Sequence, residues 1–356
     1  MQEQKKSEKI SKKWIIGAIL LLIIFSVFGI HVWKDYRDTL MDNQIEQLKV
    51  TTEILSKNME SSIQEYEDDL DFFDGLKNAE DAKEIFQSYI EKKEVFVEDL
   101  FREKQDGTFL GSVSGKQYKD GIKIAQMSDE KSMYQMKRED TKQEKYLVVK
   151  KVLDDGNNLC LVVNEEKYYN KIISDIRIGS NGYIVIKASD GRILMHPDNG
   201  QWGIDVIAGR KKMYPDLDFS SLEKMIEDQK KGEEGVSVYY SYWWTKKDVP
   251  RVKKISVYTP AKIGDDFIVI SSVTDYTDFY QPIREGFTGL MLLFAGILAI
   301  CMVVFFLAMK MFNQRKQVEA ENAYLKELNG LLEEVHQNEE TIAHQQRLQI
   351  MGTMTG

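Results

Sequence analysis

The chain has 356 residues, 43% of them hydrophobic and 29% charged, and a formal net charge of -9, which is length enough for more than one packed unit. The excess acid lies between Lys34 and Glu285, where 48 acidic residues face 38 basic ones, and this excludes nucleic-acid binding, which needs a basic surface. The two cysteines, Cys160 and Cys301, stand far apart and exclude a disulfide framework.

Trp14 to Trp33 is a run of 20 residues with no ionisable group but His31, long enough to cross a hydrocarbon core of ~30 Å as a helix. A signal peptide would be shorter and followed by small residues for cleavage, whereas Val32-Trp33-Lys34-Asp35-Tyr36-Arg37 follows here. Beyond it, Lys34 to Gly75 contains no proline and no earlier glycine, and Leu40, Ile45, Leu48, Ile54, Leu55, Met59 and Ile63 recur at helical spacing. The reading is one long helix leaving the membrane.

The pattern then shortens. A helix is predicted over Ala82 to Lys92, and strands over Val95 to Glu103 and Thr108 to Val113 flank the tight-turn pair Asp106-Gly107. A second hairpin is predicted from Lys145 to Leu153 and Leu159 to Val163 around Asp154-Asp155-Gly156-Asn157, with the stretch between the hairpins left as a variable middle. A connecting helix over Tyr168 to Ile178 leads to a further hairpin, Gly182 to Lys187 and Arg192 to His196, about Ser189-Asp190-Gly191. A helix at Leu222 to Lys231 and strands at Val236 to Trp243, Lys253 to Thr259 and Phe267 to Val273 complete this part. Antiparallel strands in two successive groups after one long helix predict two stacked sheet modules.

Gly286 to Met309 is a second uncharged run, of 24 residues. Lys5, Lys6, Lys9, Lys12 and Lys13 precede the first run, and Lys310, Arg315 and Lys316 follow the second; the positive-inside rule puts both outer ends in the cytoplasm and the 252 residues from Lys34 to Glu285 outside. After it, Leu325, Leu328, Leu332, Val335 and Ile342 fall on an a/d pattern that predicts a short parallel coiled coil.

Chemistry is sparse. His31, His196, His336 and His344 are scattered, no metal cluster or phosphate-cradling loop is present, and His196 reads as a structural residue. A ligand site is the better expectation: Arg102, Tyr118, Tyr134 and Tyr146 are the candidate ligand-binding residues, the guanidinium being suited to a carboxylate. Tyr239, Tyr240, Tyr242, Trp243 and Trp244 alternate faces on a strand, half of them as core.

Two stretches resemble known families. Gly182-Tyr183-Ile184-Val185-Ile186 through Asp190-Gly191-Arg192-Ile193-Leu194-Met195-His196-Pro197, with Gly203-Ile204-Asp205, resembles the signature of Cache domains, extracytoplasmic sensor modules with a PAS-like sheet; Tyr258-Thr259-Pro260 and Phe267-Ile268-Val269-Ile270 are similar to that family's last hairpin. Arg347-Leu348, Met351-Gly352 and Met354-Thr355-Gly356 resemble the opening of the dimerisation and phosphotransfer helix of sensor histidine kinases, just short of the phosphorylated His.

Together these resemblances imply an α+β membrane receptor in which two transmembrane helices flank a double-Cache sensor. The implied organisation is a cytoplasmic N-terminus (1–13), a first span (14–33), an extracytoplasmic sensor (34–285, with the long helix at 34–78, a distal module at 79–168 and a proximal module at 169–285), a second span (286–309), a coiled coil (310–345) and the start of the phosphotransfer helix (346–356). The implied function is small-molecule sensing by a bacterial two-component histidine kinase, a multi-pass protein of the cell membrane with both termini cytoplasmic. A Cache-type chemoreceptor or the sensor part of a cyclic-dinucleotide enzyme is the alternative. The implied partners are an external ligand placed in the distal module, a second copy of the chain, membrane lipid and a response regulator. No cofactor is expected for these residues, which would be inactive alone; ATP and Mg belong to the kinase domain expected after them. The arginine and aromatic motif of amino-acid-binding double-Cache sensors is missing, so that ligand class is not implied.

Overall fold

The computed structural model of the chain describes residues 2–76, 82–92, 96–140, 145–244 and 248–354. Helix α1 runs unbroken from Gln2 to Gly75, so the first apolar run and the long helix after it are one element. Its buried stripe is Leu48, Thr52, Leu55, Met59, Ile63, Tyr66, Leu70 and Phe73, which repeats every three or four residues as one helical face must. Ile54, counted into that stripe from spacing, is exposed instead, because Leu55 holds the inward position and adjacent residues lie about 100° apart.

The first sheet takes the antiparallel order β2-β1-β6-β5-β4-β3. Its strands are β1 (Val97–Glu103), β2 (Phe109–Ser112), β3 (Tyr118–Gln126), β4 (Lys131–Arg138), β5 (Lys145–Val152) and β6 (Asn158–Asn164). Both predicted hairpins are present, and the stretch left as a variable middle supplies β3 and β4. Helix α2 (Ala82–Lys92) matches its predicted span. Val95, the predicted start of the first strand, lies outside the described residues.

The connection is shorter than predicted: α3 covers Glu165–Tyr168 and a wider, π-type turn covers Tyr169–Ile173. Gly179, at φ +56°, then turns the chain toward the second sheet. That sheet has the order β8-β7-β11-β10-β9, made of β7 (Tyr183–Ala188), β8 (Ile193–Met195), β9 (Gly235–Tyr242), β10 (Arg251–Ile263) and β11 (Asp266–Asp275), with the short helix α4 (Ala208–Met213) and helix α5 (Ser220–Gln229) between β8 and β9.

Helix α1 serves both sheets. Thr52 Oγ1 lies 2.7 Å from Ser272 Oγ and Ser56 Oγ donates to the Pro260 carbonyl at 2.8 Å, while Lys131 and Lys151 of the first sheet meet Asp71 at 2.8 and 2.9 Å. Leu55 and Met59 pack on Ile184, Ile186 and Ile270. Most buried apolar residues of both sheets therefore belong to one continuous core that includes the helix.

The sheets also touch directly. Gly264, at φ +59° in the β10–β11 turn, is pressed against the Met127 backbone after β3, where a Cβ would come within 2.2 Å of the carbonyl oxygen; only glycine fits there. Arg192 Nη2 donates to the Lys123 carbonyl at 2.8 Å. Glu165, fully buried at the start of α3, accepts from Gln135 Nε2 on β4 at 3.0 Å.

Helix α6 spans Tyr276–Met354 and begins at the residue after β11. It contains the second apolar run and is long and apolar enough to cross a membrane; Thr355 and Gly356, at the end of the expected phosphotransfer segment, lie outside the described residues. The chain divides into two compact units, Met1–Arg284 and Glu285–Gly356.

Candidate functional site

Strand alternation decides which predicted residues meet. On β1, Leu100 and Arg102 face α1 while Phe101 and Glu103 face away, and register carries that division across the sheet: Arg102 is opposite Gly111 and Leu159, and Phe101 is opposite Cys160. Tyr118, Tyr134 and Tyr146 all lie with Phe101 on the face away from α1. The four candidate residues are thus split, three tyrosines on one face and Arg102 on the other.

The tyrosine face is a packed polar and aromatic layer. Tyr118 stacks on Phe101 with centroids 5.2 Å apart and meets Tyr146 edge-on at 5.5 Å. Asp99, fully buried, accepts from the Ser114 amide at 3.0 Å, from the Ser114 hydroxyl and from the Tyr118 hydroxyl at 3.3 Å. Arg138 Nη1 donates to the Tyr146 oxygen at 3.0 Å. Burial, followed by the charge of Asp99, pushes the Tyr118 phenol far above its usual range, so it remains a neutral donor to that carboxylate.

Arg102 is not on an edge strand, since β2 covers its outer side. It lines a groove of ≈ 500 Å³ with Phe73, Phe86, Leu100, Leu110 and Asp155. The volume suits a small organic molecule, and its lining is mixed, with apolar residues joined by Asp74, Ser112 and Asn157 as well as by Arg102 and Asp155. Arg102 Nη2 pairs with Asp155 Oδ2 at 2.6 Å, while its buried Nε finds no partner among the described residues. The groove therefore presents apolar walls interrupted by polar groups and an ion pair at the Arg102 end.

The second sheet encloses a cluster that residue-type reasoning passed over. On its face away from α1, Lys187 (β7), Lys254 (β10) and Arg210 (α4) converge with His196, Tyr183 and Tyr239 around one small cavity. The three cations and His196 are each at most 5% exposed. Lys187 Nζ donates to Ser271 Oγ at 3.0 Å, Lys254 Nζ to the Tyr242 carbonyl at 2.7 Å, and Arg210 Nε to Gln201 Oε1 at 3.2 Å. The Arg210 guanidinium lies 4.3 Å from the Trp244 ring centroid and the Lys254 ammonium 4.1 Å from that of Trp243, contacts that favour a cation.

Burial and then Arg210 bring Lys187 down to about 7; burial lowers Arg210 to about 10, and Lys254 falls well below its usual range for the same reasons as Lys187. Arg210 thus stays charged at neutral pH. Lysine and arginine are ordinarily read as surface residues. The signal available in the sequence was phase: Tyr183, Val185 and Lys187 alternate on one strand, as do Lys254, Ser256 and Tyr258 on another.

With this geometry in view, residues 113–263 match the family model described as the Cache domain, a span that takes in β3 to β6 and continues to the end of β10. The class defined here is an α+β fold of two antiparallel sheets, with the Cache match confined to residues 113–263. None of the curated proteins matches the chain. Among solved structures, the periplasmic sensory domain of the chemoreceptor Tlp1 of Campylobacter jejuni is similar at 10% identity and a TM-score of 0.42, over 68% of this chain and 99% of that one. The ligand-binding domain of the Pseudomonas aeruginosa PAO1 amino acid chemoreceptor PctB, solved with L-Arg, is similar at 14% identity and TM-score 0.46, over 67% and 98%. The extracellular domain of rpHK1S-Z16, provisionally assigned as a histidine kinase, is similar at 13% identity and TM-score 0.44, over 65% and 93%.

Proposed function

We propose that the chain is the sensing and signal-transmitting part of a bacterial transmembrane histidine kinase. Two Cache-type modules outside the membrane are carried between two spans, 14–33 and 286–309, and a homodimeric coiled coil leads toward a kinase domain that uses ATP and Mg and serves a response regulator. The observation that carries this reading is the Cache match over residues 113–263 in a fold whose last strand, β11, passes into α6 without a loop. Arg347-Leu348 and Met351-Gly352 favour the kinase over a chemoreceptor or a cyclic-dinucleotide enzyme, because they resemble the phosphotransfer helix. Arg210, Lys187 and the tyrosine layer are matched to no such role.

The ligand we assign to the groove beside Arg102 is a small metabolite with an apolar body and an anionic end. Its acid would exchange with Asp155 for the guanidinium, a charge-assisted bond that contributes about 1.5–3 kcal/mol. A thermal-shift screen of the full chain in detergent against small organic acids should give a hit that Arg102→Ala weakens by roughly ten- to a hundred-fold. A hit with unchanged affinity in Arg102→Ala would remove the ligand from this groove.

Topology has its own test. In a Cys301→Ser background, a membrane-impermeant thiol reagent on intact cells should label Lys231→Cys and leave Lys316→Cys unlabelled, because the Lys5 to Lys13 and Lys310 to Lys316 clusters set both ends inside. The opposite labelling reverses the orientation.

A further inference from the structure

The cavity between β7, β10 and α4 combines three features that a packed core does not need. It gathers Lys187, Lys254 and Arg210, all buried, and no carboxylate lines it among the described residues. The two acids whose charge reaches the cations are engaged elsewhere: Asp198 accepts from the Gly200 amide at 3.0 Å, and Asp275 from the Thr277 amide at 2.8 Å. Buried charge of one sign costs several kcal/mol per ion unless something pairs with it.

His196 supplies an independent sign of a ligand. Its Nδ1 accepts from the Asp198 amide at 3.0 Å, so in the neutral ring the proton sits on Nε2, which is then a donor. That Nε2 is buried and has no partner among the described residues. A buried donor without an acceptor is costly, and the imidazole lines the same cavity as the three cations.

Volume sets the size of the occupant. The void is ≈ 20 Å³, slightly more than the ~10–15 Å³ that holds one water. A water could accept from His196, but it brings no charge to Arg210. A phosphate or a metabolite does not fit.

We propose that this cavity is a binding site for one compact monovalent anion of chloride size, held by Lys187, Lys254, Arg210 and the Nε2–H of His196. The anion pairs with the guanidinium, accepts from the imidazole and lets both lysines keep their protons, which ties β7, β10 and α4 together. Ser271, on β11, already accepts from Lys187 at 3.0 Å, so occupancy bears on the strand that leads into α6. The site is separate from the Arg102 groove and stands whether or not that groove binds a metabolite.

The test is thermal unfolding of the full chain in detergent, at constant ionic strength, with chloride replacing gluconate, which is too bulky for the cavity. The midpoint should rise saturably with chloride and with bromide. Lys187→Met, which substitutes an apolar side chain of similar length for a buried charge, should leave the midpoint in gluconate equal or higher and weaken the chloride response by roughly ten- to a hundred-fold. Arg210→Met should do the same, and Arg102→Ala should retain the full response. Bromide-soaked crystals should show one anomalous peak between Lys187, Lys254 and Arg210. A midpoint indifferent to chloride, or a response that survives both methionine variants, overturns the proposal.

Discussion

Glu165→Gln should stabilise the protein at neutral pH and leave it unchanged in acid. The Glu165 carboxyl is pushed from 4.5 up to about 8, chiefly by burial, against the opposing pull of the Gln135 bond and of Lys145 and Arg192. A folded-state value above the unfolded one means that the folded chain holds the proton more tightly. The wild type then has its full stability below 4.5 and loses part of it as pH rises toward 8. A tenfold difference in proton affinity between the folded and unfolded chain corresponds to about 1.4 kcal/mol, so the loss is on the order of a few kcal/mol. Glutamine keeps the acceptor for Gln135 Nε2 and removes the titration. Urea unfolding of both forms at pH values on either side of this window should give midpoints that agree in acid and diverge above neutrality. A variant less stable than wild type at neutral pH, with the difference vanishing in acid, would mean that Glu165 is ionised and held by Lys145 and Arg192.

An equally large effect is expected in the part of α6 proposed to form a coiled coil. Leu325, Leu328, Leu332, Val335 and Ile342 are between 40% and 60% exposed in the single chain, a periodic apolar line that a second copy would cover. Each leucine buried in a dimer is worth ~1.5–3 kcal/mol, and a substitution acts in both chains. Leu328→Asp should therefore cost the coil roughly 3–6 kcal/mol and dissociate it. Cysteine crosslinking should be stronger at Leu332→Cys than at Glu333→Cys, which lies about 100° around the helix. Equal yields at the two positions would show that the heptad phase is wrong.

Where residue chemistry and position agreed, the sequence was informative. Asp106-Gly107 and Asp154-Asp155-Gly156-Asn157 marked two hairpins because few other residues tolerate the turn, and Gly107 and Gly156 both adopt positive φ. The helical spacing from Leu48 to Ile63 marked α1 for the same kind of reason. The strand β3 was not legible, since Lys119, Asp120, Gly121 and Lys123 break its alternation and its pairing with β4 is irregular at two places. Helix α4, with six residues, is too short for a period to show.

The site was harder to read than the fold. Tyr118, Tyr134 and Tyr146 were named by residue type alone, since two of them lie on the strands left as a variable middle, and the face of Arg102 depended on a register shift within β1, between Val97 and Asp99, which no composition reveals. The cations of the second sheet were hidden by their type, because burying Lys187 and Lys254 runs against every propensity.

The direct passage from β11 into α6 limits what kind of motion the second sheet can pass to the helix. Antiparallel strands slide only in whole residues, about 3.4 Å at a time, and one such step would turn Ser271 and Val273 toward α1 and expel Ile270 and Ser272 from it. That step would undo the core, so β11 cannot act as a ratchet. Without a loop after Asp275 there is no slack to take up a smaller movement either. What remains is a rocking of the strand within its ladder, which the first turns of α6 would share. Pro282, inside α6 and lacking the amide that would bond one turn back, is where such a rocker would bend.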